Sequence, residues 1–360
     1  MNETDAGKEL ERIRRAINGI DLEILTLLEE RMELGLRTRK LKNGALDTGR
    51  EASVLASAKQ SSLALLHEKF VERVFSEVMA ESRRLQEEGR RLVAFQGEHG
   101  AYGEIAARSV VPGAAYVPCM EFEDVFQGVE QGRFDFGVVP VENSLEGPVS
   151  HVSGLLQEMT LHVRGESVVP IHLCLLAPPE ADHREIHVAY SHPMALGQCR
   201  GYLSRNKLEP RPFYDTAGAA RMLAREKPRG VAAVASALAA RLYGLQVLRE
   251  DIEDETSNFT RFLLLAREPG EPGDKCSLVF STRHQSGSLN SVLDLFASAG
   301  LNLTRIASTP RRSDPGSYSF FLDFEGTTLD PSVRQALDEL AKRSTFYRFL
   351  GCYPSVIHPM

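Results

Sequence analysis

Apolar residues recur with a period of seven near the N-terminus. The main row consists of Ile13, Ile20, Leu27, Leu34 and Leu41, and Ile17 and Ile24 stand in a companion row. This period predicts one long helix over residues 8–42, with a coiled-coil-like seam along it. The companion row becomes polar at Arg31 and Thr38. Polar residues in an apolar seam indicate either that they fix the register of the helix pairing or that they belong to a functional site. Two more helices are predicted over residues 50–61 and 63–87, so residues 1–90 should form an all-α domain.

Short apolar runs alternate with helical periods from residue 92 onward. The runs Leu92–Phe95, Phe136–Val141 and Val188–Tyr190 have the composition of buried strands. They fall into two sets: the second begins near His172–Leu176, and the chain returns to the first at the strand that contains Thr260. The pattern predicts two α/β lobes with a cleft between them over residues 91–268, as in periplasmic-binding-protein-like folds.

A Pro- and Gly-rich linker at Glu268–Gly273 separates a third segment, residues 274–360. Its predicted order is strand, helix, strand, strand, helix, strand, which is an α+β βαββαβ domain. The second helix should begin at Pro331 with Asp330 as its cap. The chain is therefore predicted to be multidomain.

Composition and charge narrow the class of protein. Hydrophobic residues make up 42% and charged residues 25% of the chain, with a net charge of −7, which argues against nucleic acid as a partner. No apolar run approaches the roughly 20 residues that span a bilayer, and the N-terminus is acidic and polar. Five scattered cysteines fit a reducing cytoplasm. The His183/His187 pair precedes a strand and lacks a third ligand in sequence, so no metal site is expected.

A glycine-rich loop follows the first predicted strand of the middle domain. Gly97, Gly100 and Gly103 have the spacing G-x-x-G-x-x-G, whereas a dinucleotide-binding loop requires G-x-G-x-x-G. Nicotinamide binding is therefore disfavoured, and no cofactor is expected.

Charged residues of the first domain are spaced for ligand binding. Arg31 and Lys42 are eleven residues apart, about three turns, and so share a helix face. Arg14 precedes Arg31 by 17 residues, roughly 25 Å along the axis, too far for both cations to bind one small ligand. An antiparallel partner helix would return a second Arg14 to the middle, which favours a homodimer with shared sites.

This set resembles the active site of the all-helical chorismate mutases. The matching residues are Arg14, Arg31, Lys42, Asp47, Arg50, Glu51, Ser82 and Gln86. Chorismate is a dianion that must hold a compact chair before it rearranges, so cations that clamp its carboxylates supply orientation. The resemblance implies clamping by Arg31 and a partner's Arg14, stabilisation of the ether oxygen by Lys42 and Gln86, and a hydrogen bond from the ring hydroxyl to Glu51. Arg50 would help to hold the site. A solvated charged helix face is the alternative.

Two polar stretches at strand ends carry the candidate chemistry of the middle domain. Glu142-Asn143-Ser144 follows a strand that should end near Pro140, because proline withholds a backbone donor. Ser257–Phe262 leads into another apolar strand. An ordinary strand and loop would explain the first stretch alone. Together, however, the stretches resemble the V-P-x-E-N and T-R-F signatures of the prephenate dehydratases.

The resemblance implies a substrate-binding set in the middle domain. It comprises Glu142, Asn143, Ser144, Ser191, Gln198, Thr260, Arg261 and Phe262. Conversion of prephenate to phenylpyruvate expels a ring hydroxyl together with carbon dioxide, and hydroxide needs a proton donor to leave. The resemblance makes Thr260 the candidate. Because a threonine hydroxyl is a weak acid, it either donates this proton or only orients the leaving group while aromatisation drives the step.

The third segment resembles the regulatory ACT domain, and Gly351–Pro354 matches the C-terminal motif of its relatives. The resemblance implies that Gly287, Ser288 and Leu289 bind phenylalanine. Ala307–Pro310 reads Ala-Ser-Thr-Pro where inhibited relatives carry Glu-Ser-Arg-Pro. An ion pair is lost there, so altered phenylalanine binding is expected.

These resemblances run in order along nearly the whole chain. They imply a bifunctional chorismate mutase/prephenate dehydratase that is cytoplasmic and forms a homodimer or a dimer of dimers, with chorismate and prephenate as substrates. Two alternatives stay open. A non-catalytic amino-acid-sensing protein would not turn over chorismate, and an arogenate-preferring dehydratase would be revealed by comparing rates on both substrates.

Overall fold

The computed structural model describes residues 3–41, 48–60, 65–310 and 318–356. Its first part consists of three helices, α1 (Glu3–Arg39), α2 (Thr48–Gln60) and α3 (Glu68–Glu87). α1 is unbroken over 37 residues, about 55 Å. α3 packs on both other helices and buries Val71, Met79 and Leu85. The predicted all-α domain is confirmed, and none of the described helices is long and apolar enough to cross a membrane.

The middle of the chain forms two lobes, each built on one sheet. The first lobe contains β1 (Leu92–Gln96), α4 (Tyr102–Val110), β2 (Ala115–Cys119), α5 (Phe122–Glu130), β3 (Phe136–Asn143), β4 (Gly147–Pro148), α6 (Ser150–Glu158), β5 (His162–Pro170) and, after the second lobe, β11 (Phe259–Ala266). Its strand order is β2-β1-β3-β11-β5, with β4 paired to β3. β1 pairs in parallel with β2 and β3, whereas β11 is antiparallel to β3 and β5.

The second lobe is inserted between β5 and β11. It contains β6 (Cys174–Ala177), β7 (Val188–Ser191), α7 (Pro193–Gln198), α8 (Arg200–Arg205), β8 (Glu209–Pro212), α9 (Thr216–Glu226), β9 (Val231–Ala235), α10 (Ala237–Tyr243) and β10 (Gln246–Arg249). Its strand order is β10-β6-β9-β7-β8. The two-lobed α/β architecture predicted from the alternating runs is therefore present.

Two adjacent segments cross between the lobes and bond to each other. The Ile171 N–H donates to Asn258 O over 2.9 Å, and the Ile252 N–H donates to Leu173 O over 2.9 Å. The carboxylate of buried Glu253 accepts from the Leu173 N–H over 2.8 Å. The lobes are thus joined by a paired, hydrogen-bonded connection that lies next to the start of β11.

The last part of the chain has the predicted βαββαβ order. It contains β12 (Lys275–Ser281), α11 (Ser288–Ser298), β13 (Leu303–Pro310), β14 (Tyr318–Glu325), α12 (Pro331–Arg343) and β15 (Phe346–Tyr353). The antiparallel sheet has the order β13-β14-β12-β15. α12 begins as predicted, with Pro331 in its first turn and the Asp330 side chain accepting from the Ser332 N–H over 2.8 Å.

The two faces of this last sheet have different partners. Leu278 and Phe280 pack with Phe296 of α11 and Leu340 of α12. Residues of the opposite face, including Val279, join the core of the first lobe. β15 approaches β5 so closely that a Cβ atom at Gly351 would lie 2.2 Å from Val163 O. The C-terminal sheet is therefore docked on the first lobe.

Candidate active sites

A glycine lets α1 and α3 meet closely where the mutase residues were predicted. A Cβ atom at Gly35 would lie 2.5 Å from Ser82 Oγ and 3.6 Å from Gln86 Nε2. Gln86 Nε2 donates to Ser82 Oγ over 3.2 Å. Arg31 stands one turn before Gly35 on the same helix face and is half-buried. Arg31, Ser82 and Gln86 thus lie along one α1–α3 contact.

The remaining predicted mutase residues are distributed around this contact. Glu51 of α2 forms an ion pair with Arg83 of α3, and Arg50 lies exposed beside it. Arg14 pairs with Glu11 over 3.2 Å on the far part of α1, so a single chain does not bring it to Arg31. Lys42 and Asp47 lie outside the described residues.

The pair Asn143 and Thr260 forms the centre of the predicted dehydratase set. The two residues are direct partners in the antiparallel β3–β11 pairing. Asn143 Nδ2 donates to Thr260 Oγ1 over 2.9 Å. Asn143 Oδ1 accepts from the Leu145 and Glu146 N–H groups over 3.0 and 3.1 Å. Because an amide oxygen must face these two donors, the orientation of the Asn143 amide is fixed.

This orientation determines what the Thr260 hydroxyl can do. Its oxygen accepts from Asn143, so its hydrogen is directed elsewhere. Thr260 is only half-buried, whereas its partner Asn143 is buried. The arrangement presents a hydroxyl donor at the carboxyl end of β3, next to the connection between the lobes.

Asn258 is a member of this cluster that sequence reasoning missed. Its Oδ1 accepts from Asn143 Nδ2 over 2.9 Å and from Ser144 Oγ over 3.2 Å. Its side-chain nitrogen is buried and has no hydrogen-bond partner among the residues that the structure describes. The signal was available, because Asn258 precedes Thr260 by two positions and alternate residues of an extended chain share a face. Ser144 also accepts from the Phe259 N–H over 3.0 Å and so ties the two stretches together.

Glu142 and Arg261 lie on the opposite face of the same strand pair. They are also direct partners in the β3–β11 register. Arg261 is 4% exposed, and its nitrogens donate to Glu166 over 2.7 Å, to Asp323 over 2.5 Å and to Tyr353 Oη over 2.9 Å. Burial alone would lower the pKa of Arg261, but Asp323 beside it and the other partners raise it.

The placements of Arg261 and Phe262 do not fit their predicted substrate-binding roles. Each of the three guanidinium nitrogens of Arg261 is bonded inside the protein, at the contact with the C-terminal sheet. Phe262 is 3% exposed and packs with Val93 and Val138 in the core of the first lobe. Both residues are next to Thr260 in the motif. Arg261 faces the other side of the sheet because side chains alternate along a strand, and Phe262 is packed in the core.

Ser191 and Gln198 belong to the second lobe. Ser191 is fully buried at the end of β7, and its hydroxyl donates to Val234 O over 2.6 Å. Gln198 ends α7, and its backbone oxygen accepts from the Asp254 N–H over 2.7 Å. The second lobe thus holds both residues near strand and helix ends, with Gln198 tied to a crossing segment.

The glycine-rich loop after β1 contacts the second lobe. A Cβ atom at Gly100 would lie 2.7 Å from the Ala239 Cα atom of α10, and φ is +90° there, so only glycine is free of strain. Ser236 Oγ donates to Gly100 O over 2.6 Å. Glu98 accepts from Tyr214 Oη over 2.7 Å. The loop therefore makes lobe-to-lobe contacts.

The predicted effector residues lie at the N-terminus of α11. Gly287 has φ of +82° and precedes the helix, which begins at Ser288. Leu289 packs against the core between sheet and helices. In β13, Thr309 is buried and accepts from Gln157 Nε2 of α6 over 3.2 Å. Where inhibited relatives would carry an arginine, this chain thus makes a neutral contact with the first lobe.

Comparison with known proteins identifies both parts of the chain. Residues 13–87 match the family model "Chorismate mutase type II", and residues 93–270 match "Prephenate dehydratase". A bifunctional chorismate mutase/prephenate dehydratase of Aquifex aeolicus is 34% identical over 97% of this chain and 99% of the relative. The arogenate dehydratase/prephenate dehydratase 2 of Arabidopsis thaliana is 41% identical over 73% of this chain and 72% of the relative.

A solved structure agrees with the dehydratase match. The prephenate dehydratase of Arthrobacter aurescens in complex with L-Phe has a TM-score of 0.67 and 33% identity, covering 74% of this chain and 93% of that one. Two catalytic families are therefore matched in tandem, and a relative shares the arrangement along almost its full length. The chain belongs to the bifunctional chorismate mutase/prephenate dehydratases and is an enzyme with a helical chorismate mutase domain followed by a two-lobed α/β prephenate dehydratase domain.

Proposed function

We propose that the protein converts chorismate to prephenate in residues 1–90 and prephenate to phenylpyruvate in residues 91–268, and that residues 274–360 form an ACT domain. The observation that carries the dehydratase assignment is the Asn143–Thr260 hydrogen bond of 2.9 Å, which leaves the Thr260 proton free for a ligand. In the mutase, Arg31 and a partner's Arg14 bind the substrate carboxylates. Lys42 and Gln86 stabilise the ether oxygen. Asp47, Arg50, Glu51 and Ser82 complete that site.

In the dehydratase reaction, Thr260 hydrogen-bonds the departing ring hydroxyl. Asn143 holds the threonine oxygen, and Asn258 adds a donor from its buried amide nitrogen. A buried donor without a partner costs free energy until a ligand accepts from it, so binding substrate is favoured at this cluster. Ser144 braces both stretches. Gln198 approaches the substrate from the second lobe, and Ser191, whose hydroxyl donates to Val234 O, supports the end of β7 there. Loss of the hydroxyl and of carbon dioxide then yields the aromatic ring.

The mutase proposal includes a homodimer, supported by the surface of α1. Residues of the heptad seam are strongly exposed in the single chain: Ile13, Ile17, Ile20, Ile24, Leu27, Leu34 and Leu41. Such a continuous apolar stripe is typical of a helix that packs against a partner. An antiparallel partner would cover it and would supply the second Arg14.

Phenylalanine binding at the C-terminal domain is the regulatory part of the proposal. The Arthrobacter dehydratase binds L-Phe, and Gly287, Ser288 and Leu289 provide a helix N-terminus whose amides suit a carboxylate. The neutral Ala307 and Thr309 should weaken this binding, which calorimetric titration with phenylalanine would measure. All five cysteines are buried free thiols, which fits the cytoplasmic location that we propose.

The experiment that tests the assignment uses the full chain and two substitutions. Wild-type protein given chorismate alone should form phenylpyruvate. Arg31→Ala should lose mutase activity yet dehydrate added prephenate normally, and Thr260→Val should accumulate prephenate from chorismate. Loss of both activities in either well-folded variant would contradict the division between domains.

Arogenate is the second candidate substrate of the dehydratase, because a plant relative named for both activities is 41% identical. Prephenate remains the proposal, since the mutase domain of the same chain would produce it. Values of kcat/KM for the two substrates, measured side by side, decide between them.

A further inference from the structure

The C-terminal sheet places one arginine against the dehydratase signature. Arg305 of β13 has a side chain that is 9% exposed, and its Nε lies 3.1 Å from Glu142 Oε2. Its next carboxylate, Asp323, is 3.9 Å away and already accepts from Arg261 over 2.5 Å and from Ser277 Oγ over 2.6 Å. Glu142 is therefore the principal counter-charge of Arg305 among the described residues.

This contact is electrostatic rather than a formed hydrogen bond. Nε and Nη2 of Arg305 are buried and have no hydrogen-bond partner within the described parts of the chain. A buried cation with unused donors depends strongly on the carboxylate beside it. The Glu142 carboxylate should consequently be held in place by Arg305, even though 36% of the glutamate side chain is exposed.

The β3 backbone is irregular next to Glu142, so anchoring the Glu142 side chain affects the path of the strand. The β3–β11 register shifts between Arg261 and Phe262, so Glu142 pairs with Arg261 and Pro140 with Phe262, and Val141 lies opposite no β11 residue. A bulge of this kind interrupts the ladder and bends the strand. After the bulge, the position of Glu142 and Asn143 depends on side-chain contacts as well as on the backbone hydrogen bonds of the sheet.

We propose that Arg305 is a positioning residue of the dehydratase site. By holding Glu142 on one face of β3, it keeps the end of the strand in place, so that the next residue, Asn143, stays within hydrogen-bonding distance of Thr260 on the other face. The proposal rests on the dehydratase role of Asn143 and Thr260 given above. It gives the C-terminal domain a direct contact with the catalytic strand.

The test compares kinetics of full-length variants on prephenate, with mutase activity of the same preparations as the folding control. Arg305→Met should lower dehydratase kcat about tenfold, with KM changed less than twofold, because a small displacement of a reacting group is costly. Arg305→Lys should recover most of the rate. Glu142→Gln should lose a similar factor, and the double variant should lose no more than the worse single variant, since both act through one contact.

Arg348→Met is the matched control. Arg348 Nη2 donates to Leu161 O over 2.8 Å, so it bridges the same two domains without contacting the signature. A loss of kcat in Arg305→Met no greater than that in Arg348→Met would overturn the proposal. So would a loss in the Arg305→Met/Glu142→Gln double variant that equals the product of the two single losses. A wild-type rate in Thr260→Val would instead refute the proposed role of Thr260, whatever the result at Arg305.

Discussion

At the scale of single residues, the Asn143 amide controls the direction of one proton. Its oxygen is occupied by the backbone N–H groups of Leu145 and Glu146, so its nitrogen must face Thr260. A hydroxyl whose oxygen is held in this way is prepared as a donor before the substrate arrives. Such preorganisation is a common source of catalytic rate, because no reorganisation is needed during the reaction.

We predict that Asn143→Asp lowers dehydratase kcat by about 100-fold. An aspartate keeps an acceptor for the turn at Leu145 and Glu146, but it presents a second acceptor to Thr260. The threonine proton would then turn inward, away from the leaving group. Steady-state assays on prephenate measure the loss, and chorismate consumption by the same sample verifies the fold. An unchanged kcat would mean that the hydroxyl direction is unimportant.

At the scale of elements, the exposed stripe on α1 links the helical fold to assembly. Ile17 and Ile24 are 51% and 49% exposed, although they lie in the middle of the longest helix. Most stability of a helix comes from packing of its apolar face. The stripe therefore supports the proposed homodimer, in which a partner helix covers α1.

Ile24→Glu should dissociate the proposed homodimer and greatly reduce mutase activity, because a charge would enter the apolar seam. Dehydratase turnover should be affected much less. Light scattering measures the mass, and Met120→Glu, at an exposed apolar residue of the first lobe, is the control. A monomeric wild type, or an Ile24→Glu variant of undiminished mass, would contradict the seam's role.

Prediction from sequence succeeded where one local signal specified one element. The heptad period predicted α1, and Asp330 with Pro331 predicted the start of α12, because capping is a local interaction. The motifs named Asn143 and Thr260 as site residues, but they did not predict that the two pair directly. The internal bonding of Arg261 was not predicted, because its acidic partners, Glu166 and Asp323, lie far away in the chain. The bulge at Val141 likewise arises from strand pairing, which a local pattern does not contain.

At the scale of the whole molecule, charged contacts join the mutase to the dehydratase. His99, in the loop after β1, lies 3.2 Å from Glu33 of α1 through Nε2 and 3.3 Å from Glu104 of α4 through Nδ1. Lys40 pairs with Asp135 over 2.5 Å. Burial alone would raise the pKa of Glu104, but hydrogen bonds from His99 and the Gly100 N–H lower it. His99 therefore bridges Glu33 of the helical domain and Glu104 of the first lobe.

This bridge should make stability depend on pH. Burial alone would lower the pKa of His99, but hydrogen bonds to Glu104 and Glu33 outweigh it and raise the pKa to about 9 from 6.5. A raised pKa means that the folded state binds the proton more tightly than the unfolded chain. The stabilisation is complete below pH 6.5 and declines as the pH rises towards and through about 9.

We therefore expect His99→Gln to lower the melting temperature most at pH 6 and least at pH 10. Glutamine retains a hydrogen-bonding side chain of similar reach but carries no charge. The difference in melting temperature from the wild type therefore measures the contribution of the imidazolium charge. His187→Gln, which alters an exposed histidine whose ring nitrogen Nδ1 contacts the nearby Glu185 O, should show no such trend and serves as the control. A His99→Gln difference that stays constant from pH 6 to pH 10 would show that the contact between the domains does not depend on the charge of His99.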